Sequence, residues 1–264
     1  MSAYYVLRII IITFGGFLLP LDQDFGAQKP MNLYNNVDTV DSIPLTLITG
    51  RFDPAQHQDF EMIDTKYASK SGMYLQKDAY HAFITMYEAA KKDGITLKIL
   101  SATRNFNDQK RIWENKWTGK TILSNGENAA KHYPRPADRA KKILEFSSMP
   151  GTSRHHWGTD IDLNALNNGW FETIHGKKVY QWLQLHASEF GYCQPYKAKS
   201  AYRPTGYEEE KWHWTYMPIA GRITTQIGRS FSDNQIVGFE GCETAKDIQI
   251  VATFMLGIDQ SCKR

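Results

Sequence analysis

The 264-residue chain is 42% hydrophobic and 13% aromatic, which suffices for one sizeable core with a small appendage. Its formal charge of +3 arises from 31 Lys and Arg scattered among 28 Asp and Glu. A balance that mild argues against nucleic acid as a partner and suits, at most, a polyanionic wall.

Residues 1–27 carry Arg8, an almost entirely apolar run from Ile9 to Leu21, and then Asp22 and Asp24. The run is shorter than the ~20 residues of a membrane-spanning helix, so it reads as a secretory signal cleaved near Ala27. An uncleaved N-terminal membrane anchor is the alternative. Either reading puts the chain outside the cytoplasm, in the periplasm or cell envelope.

Residues 28–74 are expected to be an N-terminal arm that packs on the main domain. The arm is polar as far as Ser42, with a short strand expected over Ile43–Ile48 and irregular structure from Arg51 to Ser71. The main domain is expected over residues 75–221. Ala79, Phe83, Met86 and Ala90 recur at helical spacing between Leu75 and Lys92, and Gly94 follows as a stop. Ile95 to Leu100 alternates as a strand does and delivers Ser101 and Arg104 at its end. Asn105 then caps a helix through Gln109 and Trp113 to about Trp117. Residues 118–136 form an excursion rich in Gly and Pro, and a further helix is expected over Ala137–Phe146.

The stretch from Gly151 to Leu163, GTSRHHWGTDIDL, gathers histidines and carboxylates around a glycine. In an extended segment Asp160 and Asp162 share one face while Ile161 and Leu163 point into a core. A turn at Gly158 can return the ring of His155 to the Asp162 carboxylate. Asn164 to Gly176 is loop-like, and Val179 to Phe190 reads as a helix stopped by Gly191. Residues 192–207, rich in Tyr, Lys, Gly and Pro, can wall a groove. In Glu208 to Tyr216, EEEKWHWTY, alternation puts His213 and Thr215 on one face and Trp212, Trp214 and Tyr216 on the other.

Three protein ligands leave the open fourth position that a catalytic zinc requires. His155, Asp162 and His213 are the candidate ligands. Two imidazoles and a carboxylate suit Zn2+ better than calcium or copper. His156 is the nearest competitor of His155. Glu210, three residues before His213, is the candidate base. Asp160 reads either as a partner that orients a ligand histidine or as a solvated strand residue.

Residues 222–264 are expected to be a C-terminal appendage with a helix from Glu243 to Leu256. Of the three cysteines, Cys242 and Cys262 flank that segment as a candidate disulfide, leaving Cys193 free. Three reduced, buried thiols are the alternative.

Ser153-x-His155-x-x-Gly158-x-x-x-Asp162, followed by Glu210-x-Trp212-His213 and preceded by Ser101-x-x-Arg104 and Gln109, resembles the VanY-type branch of the M15 zinc carboxypeptidases. The likeness covers roughly residues 75 to 217, with the motifs in the family's order. Asp160 stands where the family usually has a small residue, and Asn105 where it more often has Ser.

The resemblance implies an α+β fold, a small mostly antiparallel sheet with packed helices, of the hedgehog/D,D-peptidase kind. It implies hydrolysis of the terminal D-Ala-D-Ala amide of peptidoglycan stem peptides, with Glu210 and Arg104 catalytic and Arg104, Ser153 and Gln109 binding substrate. No obligate protein partner is implied. The alternatives are an L,D-carboxypeptidase or endopeptidase on the same scaffold, or a non-catalytic zinc-containing wall-binding module.

Overall fold

The computed structural model describes residues 42–263; the expected signal or anchor at 1–27 and the start of the arm lie outside the described residues. Among the described residues no helix is long and apolar enough to cross a membrane.

The chain opens with a helical turn, α1 (Leu45–Ile48), where a strand is expected. Pro44 leads into it, and Leu47 and Ile48 are buried, with the Trp157 indole donating to the Ile48 carbonyl at 3.2 Å. Docking on Trp157 therefore overrides the strand-forming composition. Strands β1 (Phe60–Met62) and β2 (Tyr74–Gln76) pair antiparallel, giving order to part of the segment expected to be irregular.

Helix α2 (Lys77–Lys92) buries Ala79, Phe83, Met86 and Ala90, the apolar stripe expected of it. Beyond it come β3 (Ile99–Ser101), α3 (Phe106–Trp117), α4 (Ala129–His132) and α5 (Pro136–Ile143). The Asn105 side chain caps α3 by accepting from the Asp108 amide at 2.9 Å. Strand β3 is shorter than expected because the Asn164 side chain, rather than a neighbouring strand, takes the Lys98 amide and the Thr96 carbonyl.

The second half supplies β4 (Asp160–Leu163), α6 (Ile174–His186), β5 (Tyr192–Cys193), β6 (His213–Tyr216), α7 (Met217–Ser230) and α8 (Ala245–Ile248). The main sheet has the order β3-β4-β6-β5 with every pair antiparallel. The fold is thus α+β.

On one face of the sheet Ile161, Leu163 and Trp214 join Phe83, Met86, Val179 and Leu183 in a core under α2 and α6. A second core gathers Trp113, Trp117, Leu144, Trp157, Ile223, Ile227, Phe254 and Met255. That second core spans the boundary expected at residue 221, which falls inside α7, and the boundary expected at 74 falls inside β2. Asp41–Arg264 is accordingly one compact unit.

The helix expected from Glu243 to Leu256 is broken. Gln249 takes a left-handed φ of 57° after α8, and the Val251 amide leaves the helical pattern to donate to Asp233 Oδ1 at 2.8 Å. The disulfide expected between Cys242 and Cys262 is also corrected: Cys193 pairs with Cys262, and Cys242 is a free thiol. The C-terminal segment returns to β5, with the Asp259 amide donating to the Pro195 carbonyl at 2.9 Å and Lys197 ion-paired to Asp259 at 3.0 Å. A link across 69 residues restricts the unfolded chain strongly. Cys262→Ser is expected to lower unfolding free energy by about 2–4 kcal/mol in urea titrations, with reductant bringing the unsubstituted chain to the same value.

Candidate active site

The antiparallel register of β4 and β6 places Asp160 opposite Thr215 and Asp162 opposite His213. With a side-chain period of two, all four project from the face opposite Ile161 and Trp214. His155 arrives from the 3-10 turn Arg154–Trp157, which ends at Gly158 in the left-handed region, φ 71°. A Cβ at Gly158 would stand 2.3 Å from the Phe60 ring, so both the conformation and the packing require glycine there.

The turn brings His155 Nε2 to 3.3 Å from Asp162 Oδ2, while His213 Nδ1 lies 3.0 Å from Asp162 Oδ1. One donor atom from each of His155, Asp162 and His213 falls within 4.8 Å of the others, and all three residues are buried. His155 Nδ1–H donates to the Ala102 carbonyl at 2.9 Å, leaving the Nε2 lone pair toward the cluster. His213 Nε2–H donates to Asp160 Oδ2 at 2.8 Å, leaving Nδ1 toward the cluster. Each imidazole is thus oriented by the hydrogen bond of its other nitrogen, the arrangement that fixes tautomers at metal sites.

His156 is excluded from the cluster because both its nitrogens are engaged elsewhere. Its Nδ1–H donates to the Arg104 carbonyl at 2.7 Å, and its Nε2 accepts the Gly151 amide at 3.0 Å. Burial pushes this imidazole down to about 3, so it is neutral.

Asp160 is wholly buried and satisfied on every side. Besides His213 it accepts from Arg154 Nε at 3.0 Å, from Thr159 at 2.6 Å and from Thr215 at 2.7 Å. Arg154, itself 1% exposed, also donates to Thr215 and to Thr224 of α7. Burial disfavours charge on Asp160, but Arg154 and His213 outweigh it and hold its carboxyl well below the usual range. Of the two readings of Asp160, the histidine partner is therefore the one observed.

Arg154 escaped notice in the sequence because a buried arginine looks like any basic residue until its partners are in place. Burial likewise opposes charge on Asp162 and on His213. Contacts with both histidines hold Asp162 well below the usual range, and bonds to Asp160 and Asp162 hold His213 up to about 9.

These groups floor a cavity of about 410 Å³ lined by Arg104, Lys116, Ser153, Tyr196, Glu210 and Trp212, among others. Glu210 Oε2 stands 3.6 Å from His213 Nδ1. Burial, reinforced by Asp162, pushes its carboxyl up to about 8 against the pull of His213 and Arg104. Among the described residues, Arg104 Nε and Ser153 Oγ are buried without a hydrogen-bond partner. Gln109 stands behind the wall rather than on it, its amide nitrogen donating to the Ser148 carbonyl at 2.7 Å. Lys116, which sequence reading passed over, lines the cavity seven residues beyond Gln109 on α3.

The chain matches over residues 72–219 the family described as VanY: D-alanyl-D-alanine carboxypeptidase. It is 27% identical over 226 residues to the putative carboxypeptidase YodJ of Bacillus subtilis, covering 84% of this chain and 71% of the relative. It is 30% identical over 136 residues to a D-alanyl-D-alanine carboxypeptidase of Enterococcus faecalis, covering 51% of this chain and 45% of that one. The solved structure of VanYB in complex with D-Alanine-D-Alanine aligns with TM-score 0.47 at 25% identity, over 66% of this chain and 85% of that chain. Since the match at 72–219 takes in more than half of the sequence and every member of the His155, Asp162 and His213 cluster, the chain belongs to the VanY D-alanyl-D-alanine carboxypeptidase family.

Proposed function

We propose that the chain is a zinc-dependent carboxypeptidase that removes the terminal D-alanine of peptidoglycan stem peptides outside the cytoplasm, with residues 1–27 as its signal or anchor. The observation that carries this is the buried His155, Asp162 and His213 cluster at the base of a cavity that also holds Glu210 and Arg104. Zinc–ligand bonds of about 2.0–2.1 Å in a tetrahedron imply ligand separations of about 3.4 Å. Asp162 approaches His155 through Oδ2 at 3.3 Å and His213 through Oδ1 at 3.0 Å, one atom from each of the three residues lies within 4.8 Å of the others, and the donor set of two imidazoles and a carboxylate fits zinc.

When bound, zinc supplies Lewis acidity that polarises the scissile carbonyl and acidifies water. His155, Asp162 and His213 hold it. Glu210, close to that cluster and without a hydrogen bond of its own carboxyl among the described residues, would be favoured in its ionised form by the positive charge of bound zinc, and as carboxylate accepts the proton of the attacking water. It then delivers that proton to the departing amine. Arg104 directs its forked guanidinium at the oxygen on which charge develops, and Ser153 offers a hydroxyl free of internal partners.

Asp160 sets the direction in which His213 presents Nδ1. Asp160→Asn is expected to weaken zinc about 10- to 100-fold in chelator competition, because the charge that orients His213 is lost. It also strips the buried Arg154 of its counter-charge, so unfolding free energy should fall by as much as about 3–5 kcal/mol.

The test of function is mass spectrometry of pentapeptide and tetrapeptide stems incubated with the zinc-loaded protein, with and without chelator. Chelator-sensitive loss of one alanine from the pentapeptide alone is the expected result. Cleavage of the tetrapeptide alone would replace this reading with an L,D-carboxypeptidase. Zinc bound with neither stem cut would replace it with a wall-binding module.

A further inference from the structure

Lys116 lies on the side of α3 that carries Ile112, and both line the cavity. Its ammonium donates to Ser147 Oγ at 2.5 Å, and among the described residues no carboxylate comes within ion-pair distance of it. Lys142, Lys197 and Lys211 do have such partners, in Glu145, Asp259 and Glu172. Burial, and then the neighbouring Arg104, push the Lys116 amine below its usual range. Arg104 too has no carboxylate partner among the described residues, and its Nε is buried without a hydrogen bond. Glu210 and Asp162 line the same cavity but make no ion pair with either cation, so two cations on one wall favour a ligand that brings further negative charge to them.

A peptide cut at its last amide bond brings two oxygen sites to that wall. One is the scissile carbonyl, which gains charge during the reaction; the other is the terminal carboxylate. Backbone dimensions put their carbons less than about 4 Å apart. The Arg104 amide donates to the His155 carbonyl at 3.1 Å, which ties this residue to the metal-facing turn. Arg104 is therefore the cation nearer the reacting atoms.

We propose that Lys116, with Ser147 beside it, recognises the terminal carboxylate of the substrate and makes the enzyme selective for a free C-terminus, leaving Arg104 to the scissile carbonyl. The assignment rests on the carboxypeptidase reading above. It gives each unpaired cation an anion and makes Lys116 a residue of specificity rather than of chemistry.

The experiment compares a stem pentapeptide ending in D-Ala-D-Ala as free acid with the same peptide as its C-terminal carboxamide, using full-length zinc-loaded protein. The unsubstituted enzyme should prefer the acid. Lys116→Met should lose about 10- to 100-fold in kcat/KM on the acid, mostly in KM, the size of a charged hydrogen bond. On the carboxamide it should lose little, so that the acid-to-amide ratio collapses; Lys116→Arg should restore much of that ratio.

Equal losses on both peptides, or no preference in the unsubstituted enzyme, would overturn the assignment while leaving the carboxypeptidase reading intact. Absence of cleavage of either peptide by the unsubstituted enzyme would instead bring down that reading and this assignment together. Should Lys116→Met fail to fold, the same ratio is read from Lys116→Gln. Calorimetric binding of both peptides to Glu210→Gln, where chemistry is blocked, provides a second route; equal affinity for acid and carboxamide there would also reject the role.

Discussion

Glu210→Gln is expected to lower kcat by about 10²- to 10⁴-fold while zinc stays bound at one ion per chain. The amide fills the same volume but cannot take a proton from water or return one to the leaving amine. The position of this side chain is secured through the backbone: the Glu210 amide donates to the Tyr196 carbonyl at 2.9 Å, and its own carbonyl accepts from the Gln194 side chain at 3.1 Å and from the His213 amide at 3.2 Å. The substitution should therefore leave the fold and the ligand cluster in place. Metal analysis alongside single-turnover kinetics checks both halves of the expectation. Zinc lost together with activity would make Glu210 a ligand, since its carboxyl lies only 3.6 Å from His213 Nδ1.

Arg104→Lys should lower kcat about 10²- to 10³-fold even though the positive charge is kept. A lysine offers a point charge on a flexible stem and cannot reproduce a planar fork aimed at one oxygen. The backbone of residue 104 is clamped on both sides, its amide to the His155 carbonyl and its carbonyl to His156 Nδ1, so the guanidinium has a fixed origin beside the cluster. Kinetics on the pentapeptide should show the loss chiefly in kcat. A loss confined to KM would assign Arg104 to ground-state binding, and near-normal kinetics would remove it from the reaction.

Much of this site was legible because its signals are local. Alternation along Asp160–Leu163 and His213–Tyr216 settles which side chains share a face, whatever the sheet pairs with. Asn105 caps α3 with its own side chain, and Gly158 turns the chain within one residue. Between His155 and His156, the spacing to Gly158 and Asp162 favours His155, but the physical reason lies in the tertiary structure. The choice is decided by the Arg104 carbonyl and the Gly151 amide, which consume both nitrogens of His156. Gln109 was drawn to the substrate wall by the family pattern, yet the Ser148 carbonyl holds it behind that wall.

The readings that failed concern segments whose partners lie far away in sequence. Ile43–Ile48 has the composition of a strand and forms a helical turn because Trp157 receives it. Cys262 meets Cys193 rather than its nearer neighbour in sequence, since the C-terminal segment is carried back to β5 by Asp259. By itself, the sequence determined the chemistry available here: which residue types occur, which of them share a face, and where the turns and caps fall, all set by interactions spanning a few residues.

Tertiary structure alone decided the β4–β6 register that sets Asp162 against His213, the burial that joins Arg154 to Asp160, and the side of α3 that brings Lys116 to the cavity. These depend on packing between distant segments, where hydrophobic burial and the satisfaction of buried polar groups select one arrangement among many that local rules permit.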